Sequence, residues 1–138
     1  MNKFPPEVAQ KHFLVVDDFQ SMHVMMAAQL KLFGVTKITF AKSGSEAFAT
    51  IKGLQATSSP IDFVIADMMM KDGTGIDLTK QIRGDLTLNS LPILMISSMS
   101  DINKVLEAVQ AGVDDYIVKP WQEADLYKKI VTVSGIKK

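Results

Sequence analysis

Phe13-Leu14-Val15-Val16-Asp17-Asp18 is the stretch that decides how this chain is read: an uninterrupted apolar run breaks off on two adjacent carboxylates. Apolar residues in a row, with no polar alternation, suit a strand buried on both faces, the kind that builds parallel sheets. A helix is expected next, with Met22, Met25, Met26, Leu30 and Phe33 on its inner face and Gly34 able to adopt a left-handed cap. Lys37 to Ala41 reads as a second strand. Ser43-Gly44-Ser45-Glu46 matches a capping box, opening a second helix whose apolar stripe is Ala47, Ile51 and Leu54.

The same alternation continues along the chain. Gln55 to Pro60 is polar and ends in proline, a loop leading into the third strand, Phe63-Val64-Ile65-Ala66, with Asp67 at its end. After a loop containing Asp72-Gly73-Thr74-Gly75, Ile76 to Arg83 reads as a short helix. Pro92-Ile93-Leu94-Met95-Ile96 is a fourth strand, with the proline tolerable only at its start. Ile102, Leu106 and Val109 mark a further helix ended by Gly112, Tyr116-Ile117-Val118 a fifth strand, and Leu126, Ile130 and Val133 the last helix. Strands and helices in strict alternation predict an α/β fold, a parallel sheet covered on both faces through right-handed crossovers. Residues 1–12 read as an N-terminal extension and 13–138 as the domain, with no internal repeat and no room for an effector domain after Val133.

Composition narrows the function classes. The 138 residues, 47% apolar and 22% charged, suit one domain with a core large enough to need no staples. Cysteine is absent, which excludes disulfides, thiolate zinc sites and thiol nucleophiles and fits a reducing compartment. Fifteen basic side chains against fifteen acidic ones leave no net charge, so no basic footprint for nucleic acid is expected. No apolar run approaches the ~18 residues of a membrane span, and the N-terminus lacks a secretory pattern. The expectation is a soluble, cytoplasmic protein.

In an open parallel sheet, ligands bind beyond the carboxyl ends of the strands. Six polar residues fall there: Asp17 and Asp18 after strand one, Asp67 after strand three, Ser97 and Ser98 after strand four, and Lys119 after strand five. Converging carboxylates repel unless a cation lies among them, and with no His or Cys ligand nearby a hard ion such as magnesium fits best. Lys119 and Ser97 could contact an anion held there, most simply a phosphoryl group. Each residue also has an ordinary reading: Asp17 and Asp18 as helix N-terminal acids, Lys119 as a snorkelling lysine, Ser97 as a turn hydroxyl. Gly73-Thr74-Gly75 lacks the third glycine of a dinucleotide site, no Walker-type loop is present, and Met22 and Met25 read as core. His12 and His23 are isolated in sequence.

Val15-Val16-Asp17-Asp18, Asp67 closing an apolar strand, Leu94-Met95-Ile96-Ser97, Ala111-Gly112-Val113 and Tyr116-Ile117-Val118-Lys119-Pro120 form a specific combination in that order. From about Phe13 to Val133 the chain resembles the receiver domains of two-component response regulators, among them the stand-alone chemotaxis regulators of the CheY type. That resemblance implies a flavodoxin-like, doubly wound five-stranded sheet of order 2-1-3-4-5 with five helices. It implies Asp67 as phosphoacceptor from a histidine kinase, and magnesium held by Asp17, Asp18, Asp67 and the Met69 carbonyl. Lys119 and Ser97 would contact the phosphoryl oxygens, and the Lys119-Pro120 bond would be cis. Ser97 and Tyr116 would form the switch, re-aiming a surface near Trp121 that binds a downstream protein. Tyr116 fits equally well as a half-buried strand aromatic.

Some positions depart from the family's pattern. Met69 stands two residues after Asp67 where a small polar or charged side chain is common, Lys71 where proline is common, Ser97 in place of threonine and Ser98 in place of alanine. Met69, with Met99, would give the site an apolar rim that slows hydrolysis of the acyl phosphate; alternatively Met68, Met69 and Met70 are packing residues. The functions implied are a switch acting by protein binding, plausibly on the flagellar motor switch, or a carrier to a histidine phosphotransferase, or a receiver domain cut from a larger regulator. A magnesium-dependent phosphohydrolase would carry an acid where Met69 stands, so an enzyme turning over external substrates is not expected.

Overall fold

The computed structural model describes residues 3–70, 73–98 and 103–136. Lys71, Asp72, Met99 and Ile102 lie outside the described residues. Strands β1 (His12–Val16), β2 (Lys37–Ala41), β3 (Phe63–Asp67), β6 (Ile93–Ser97) and β7 (Asp115–Val118) form one parallel sheet in the order β2-β1-β3-β6-β7. This is the expected order, reversing direction between β1 and β3. Every residue of β1, β3 and β6 is buried, which is why these strands read as continuous apolar runs.

Alternate side chains feed two cores. Leu14, Val16, Val64, Ala66 and Met95 pack with α3 (Gly44–Leu54), α4 (Gly75–Arg83) and α5 (Val105–Ala111). Phe13, Val15, Phe63, Ile65, Leu94 and Ile96 face α2 (Gln20–Leu32) and α6 (Glu123–Ile136). Full burial of each such side chain contributes roughly 1.5–3 kcal/mol. The capping box is present: Ser43 accepts from the Glu46 amide at 3.1 Å, and the Lys42 amide donates to Glu46 at 3.1 Å.

Three features differ from the sequence reading. A sixth helix, α1 (Pro6–Ala9), precedes the sheet, and Phe4 and Val8 are buried in the α2–α6 core. Phe4 lies 5.0 Å from the rings of both Phe33 and Tyr127. A single turn begun by proline shows no helical periodicity, so it reads only as an N-terminal extension. Second, Met25 is 41% exposed, since α2 turns His23, Met26, Ala27 and Leu30 inward. The segment is apolar almost all round, so spacing alone could not select its buried face. Third, Leu106 is 67% and Val109 51% exposed, while Ala108 is the buried residue of α5. The helix is rotated so that its smallest side chain meets the sheet.

Past β3 two short strands, β4 (Met69–Met70) and β5 (Gly73–Thr74), pair antiparallel. Met68 and Met70 are core residues, and Met69 is 40% exposed.

Candidate functional site

Strand register brings the polar residues to one edge. Val16 pairs with Ala66, so Asp17 and Asp67, each the next residue, stand side by side. Asp67 pairs with Ile96 and Ser97 with Val118, which puts Ser97 and Lys119 one step further along the same edge. It is this register, together with the common direction of the strands, that brings their polar ends to one edge. Asp17, Asp67 and Ser97 are buried, while Asp18, Ser98 and Lys119 are half-buried.

Asp67 is held between an ammonium and an amide. Lys119 Nζ lies 3.2 Å from Asp67 Oδ2, and the Met69 amide donates to Asp67 Oδ1 at 3.4 Å. The Lys119–Pro120 bond is cis, and the Lys119 amide donates to the Ser97 carbonyl at 2.8 Å. Asp17 Oδ1 accepts from the Phe19 amide at 2.8 Å, but its buried Oδ2 has no hydrogen-bond partner among the described residues. Burial pushes the Asp17 carboxyl from 3.8 up to about 7, with the neighbouring Asp67 adding to the rise; the Phe19 amide and the Lys119 ammonium oppose it.

Among the described residues no three acidic or histidine side chains form a ready metal cage. Asp17 and Asp67 do form a close carboxylate pair, and the buried Asp17 Oδ2 has no fixed donor among the described residues. Magnesium suits such a pair because it uses one or two carboxylates and keeps several waters. A bound cation would also favour the charged form of Asp17 that burial disfavours. The residues therefore fit the ion expected from sequence, through Asp17 and Asp67 as the core of an open site.

Other sequence-predicted residues are near but differently engaged. The Ser97 hydroxyl donates to the Ser98 carbonyl at 3.1 Å, a bond within its own turn. Tyr116 is half-buried against the core, with Lys129 Nζ 5.5 Å from its ring centroid. Trp121 donates through Nε1 to Gln29 Oε1 at 3.0 Å, tying the turn after Pro120 to α2. His12 is structural, its ring nitrogens lying 3.0 Å from the Ser59 carbonyl and 2.6 Å from Thr39 Oγ1.

Sequence reasoning missed Gly75. A Cβ there would stand 2.5 Å from the Asp67 carbonyl oxygen and 2.6 Å from Met95 Sδ, so the start of α4 can press against the Asp67 backbone only because the side chain is hydrogen. Thr74 caps that helix, accepting from the Asp77 amide at 3.1 Å. The signal was available in Gly73-Thr74-Gly75, once read as a cap and close approach in place of a phosphate loop.

Comparison with known proteins accords with this geometry. The family described as "Response regulator receiver domain" matches residues 13–131. The chain is 38% identical over 117 residues to the chemotaxis protein CheY-3 of Vibrio cholerae, covering 85% of this chain and 86% of that protein. It is 36% identical to the chemotaxis protein CheY of Pseudomonas aeruginosa, covering 85% and 90% respectively. Among solved structures, the chemotaxis response regulator CheY4 of Vibrio cholerae superposes with a TM-score of 0.75 at 28% identity, over 90% of this chain and 98% of that one. Proteins of this family are generally signalling proteins of two-component systems and not enzymes that turn over external substrates. An acidic edge on a doubly wound sheet and a match along nearly the whole chain lead to one conclusion: this chain belongs to the response regulator receiver family.

Proposed function

We propose that this protein is a cytoplasmic chemotaxis-type switch that takes a phosphoryl group from a histidine kinase onto Asp67. The observation that carries this reading is the buried Asp67 carboxylate 3.2 Å from Lys119 and beside Asp17. An Asp67 oxygen attacks phosphorus, the phosphorus–nitrogen bond of the phosphohistidine breaks, and its electron pair returns to the imidazole, which takes up a proton. The product is an acyl phosphate. Positioning and charge neutralisation are what this transfer needs. Lys119 supplies positive charge next to Asp67, and Asp17, Asp18, Asp67 and the Met69 carbonyl would hold magnesium. That ion, when bound, supplies further positive charge against the phosphoryl oxygens.

The Ser97 hydroxyl, spent on the Ser98 carbonyl, is then drawn to the phosphoryl oxygens, and Tyr116 turns inward into the space this leaves. Added charge at Asp67 biases the packing of α5, β7 and α6. Exposed Leu106 and Val109 on α5 support a protein-binding output, for which the downstream partner is a flagellar motor switch protein. A histidine phosphotransferase would draw on the same acidic edge, so a carrier role is the second reading.

Incubation with a small phosphodonor and magnesium, followed by intact mass, tests the phosphoacceptor. The expected result is a gain of one phosphoryl group that needs magnesium and disappears in Asp67→Asn. No adduct with any donor overturns the reading. Pull-down with the phosphorylated protein separates a motor switch partner from a phosphotransferase.

A further inference from the structure

A groove of about 600 Å³ lies between α2 and the edge strand β2, reaching from Lys31 to Gln20 and Lys42 beside the carboxyl ends of β1 and β2. Val24, Ala27 and Phe40 give it apolar walls, and Lys31 and Lys42 line it with no carboxylate among its lining residues. Among the described residues neither lysine is in an ion pair, and although the Glu46 carboxylate accepts from the Lys42 amide at 3.1 Å, the lining side chains that carry charge are the two ammonium groups. Val24 is 63% and Phe40 39% exposed, an apolar display that the core does not require. The Phe40 ring stacks on His23 at 4.9 Å and 27°, leaving a flat aromatic surface turned outward. Beside it the buried His23 Nε2 has no hydrogen-bond partner among the described residues, and a polar ligand atom admitted by a shift of Phe40 would supply one.

We propose that this groove binds a small organic anion with a flat apolar body, its ring system on Phe40 and its acidic group between Lys31 and Lys42. The volume falls within the roughly 300–1,000 Å³ of small-molecule sites, and apolar walls with a few placed charges are their usual composition. None of the residues Asp17, Asp67, Ser97 or Lys119 lines the groove, so the assignment stands independently of phosphorylation.

The test titrates the full chain with anilinonaphthalene sulfonate and, separately, with uncharged phenylnaphthylamine, following amide shifts by NMR. Expected shifts cluster on Val24, Ala27 and Phe40, with the sulfonate bound about tenfold more tightly than the neutral amine. Replacing both lysines (Lys31→Gln with Lys42→Gln) should erase that tenfold preference. Phe40→Ala should weaken both probes, and Val24→Glu, at an exposed position that leaves the fold intact, should exclude the sulfonate. Shifts elsewhere, equal binding of the two probes, or indifference to loss of the lysines overturns the proposal. So does a polyglutamate peptide that shifts these residues while the sulfonate does not, an outcome that makes the groove a protein-docking surface.

Discussion

Two of the ion pairs among the described residues, of nearly equal length, lie at opposite ends of the sheet, and they are built differently. At the amino ends of the strands, Arg83 Nη2 lies 3.1 Å from Asp114 Oδ2. The same guanidinium donates to the Gly112 carbonyl at 2.9 Å and the Leu91 carbonyl at 2.7 Å, while Asp114 also accepts from the Ile93 amide at 2.8 Å. At the carboxyl ends, Lys119 meets Asp67 through a 3.2 Å contact, beside an Asp17 oxygen with no hydrogen-bond partner among the described residues. The planar fork of arginine saturates its surroundings and ties α4 to β6 and the end of α5. A point charge on a flexible stem leaves acceptors unfilled, and unfilled acceptors can receive an ion or a phosphoryl group. Saturation marks the pair that holds the fold; deficit marks the pair that we propose receives the phosphoryl group.

Breaking the saturated pair should have the largest effect. Arg83→Ala leaves Asp114 and the carbonyls of Gly112, Asn89 and Leu91 short of a partner and is expected to cost about 3–5 kcal/mol in urea unfolding, while the protein that remains folded still takes up phosphoryl groups. An unfolding free energy unchanged by this substitution would remove the distinction. Gly75→Ala probes the other end: the added methyl pushes on the Asp67 carbonyl and Met95, with an expected loss of about 2 kcal/mol and slower phosphorylation measured together.

Asp17 sharpens the contrast through pH. Its carboxyl is raised to about 7 in the fold from 3.8, so between these values the folded state holds a proton that the unfolded state has released. Stability from this group therefore falls as pH rises from about 4 to about 7 and is level above. Asp17→Asn should remove that slope and gain roughly 1–2 kcal/mol at pH 8 without magnesium, and added magnesium should stabilise the parent and not the variant. Urea titrations across this range, with and without the ion, decide it. Met69→Asn should have the smallest effect on the fold, within about 0.5 kcal/mol at this exposed position. It should nevertheless shorten the lifetime of the acyl phosphate, since a polar side chain admits and orients water where a thioether does not. An unchanged lifetime removes the role of the apolar rim.

Much of this was legible beforehand because buried parallel strands announce themselves as unbroken apolar runs. Phe13 to Val16, Phe63 to Ala66 and Ile93 to Ile96 are such runs, and the residue that ends each is polar. Where the pattern was ambiguous, reading failed: α2 is apolar on nearly every side, α5 buries an alanine while showing a leucine and a valine, and α1 is one turn long. Two patterns of contact were also invisible, the filling of Arg83 and the crowding at Gly75, because both depend on residues distant in sequence.

By itself the sequence determined the alternation of strands and helices and which side chains arrive at the carboxyl edge, since period and strand direction are local properties of the chain. Only the tertiary structure decided that Asp17 holds its proton to about neutral pH, that the Ser97 hydroxyl faces the Ser98 carbonyl, and that Arg83 is saturated where Lys119 is not. Those depend on how much water is removed from each group and on what packs against it, and both are set by neighbours brought together only when the chain folds.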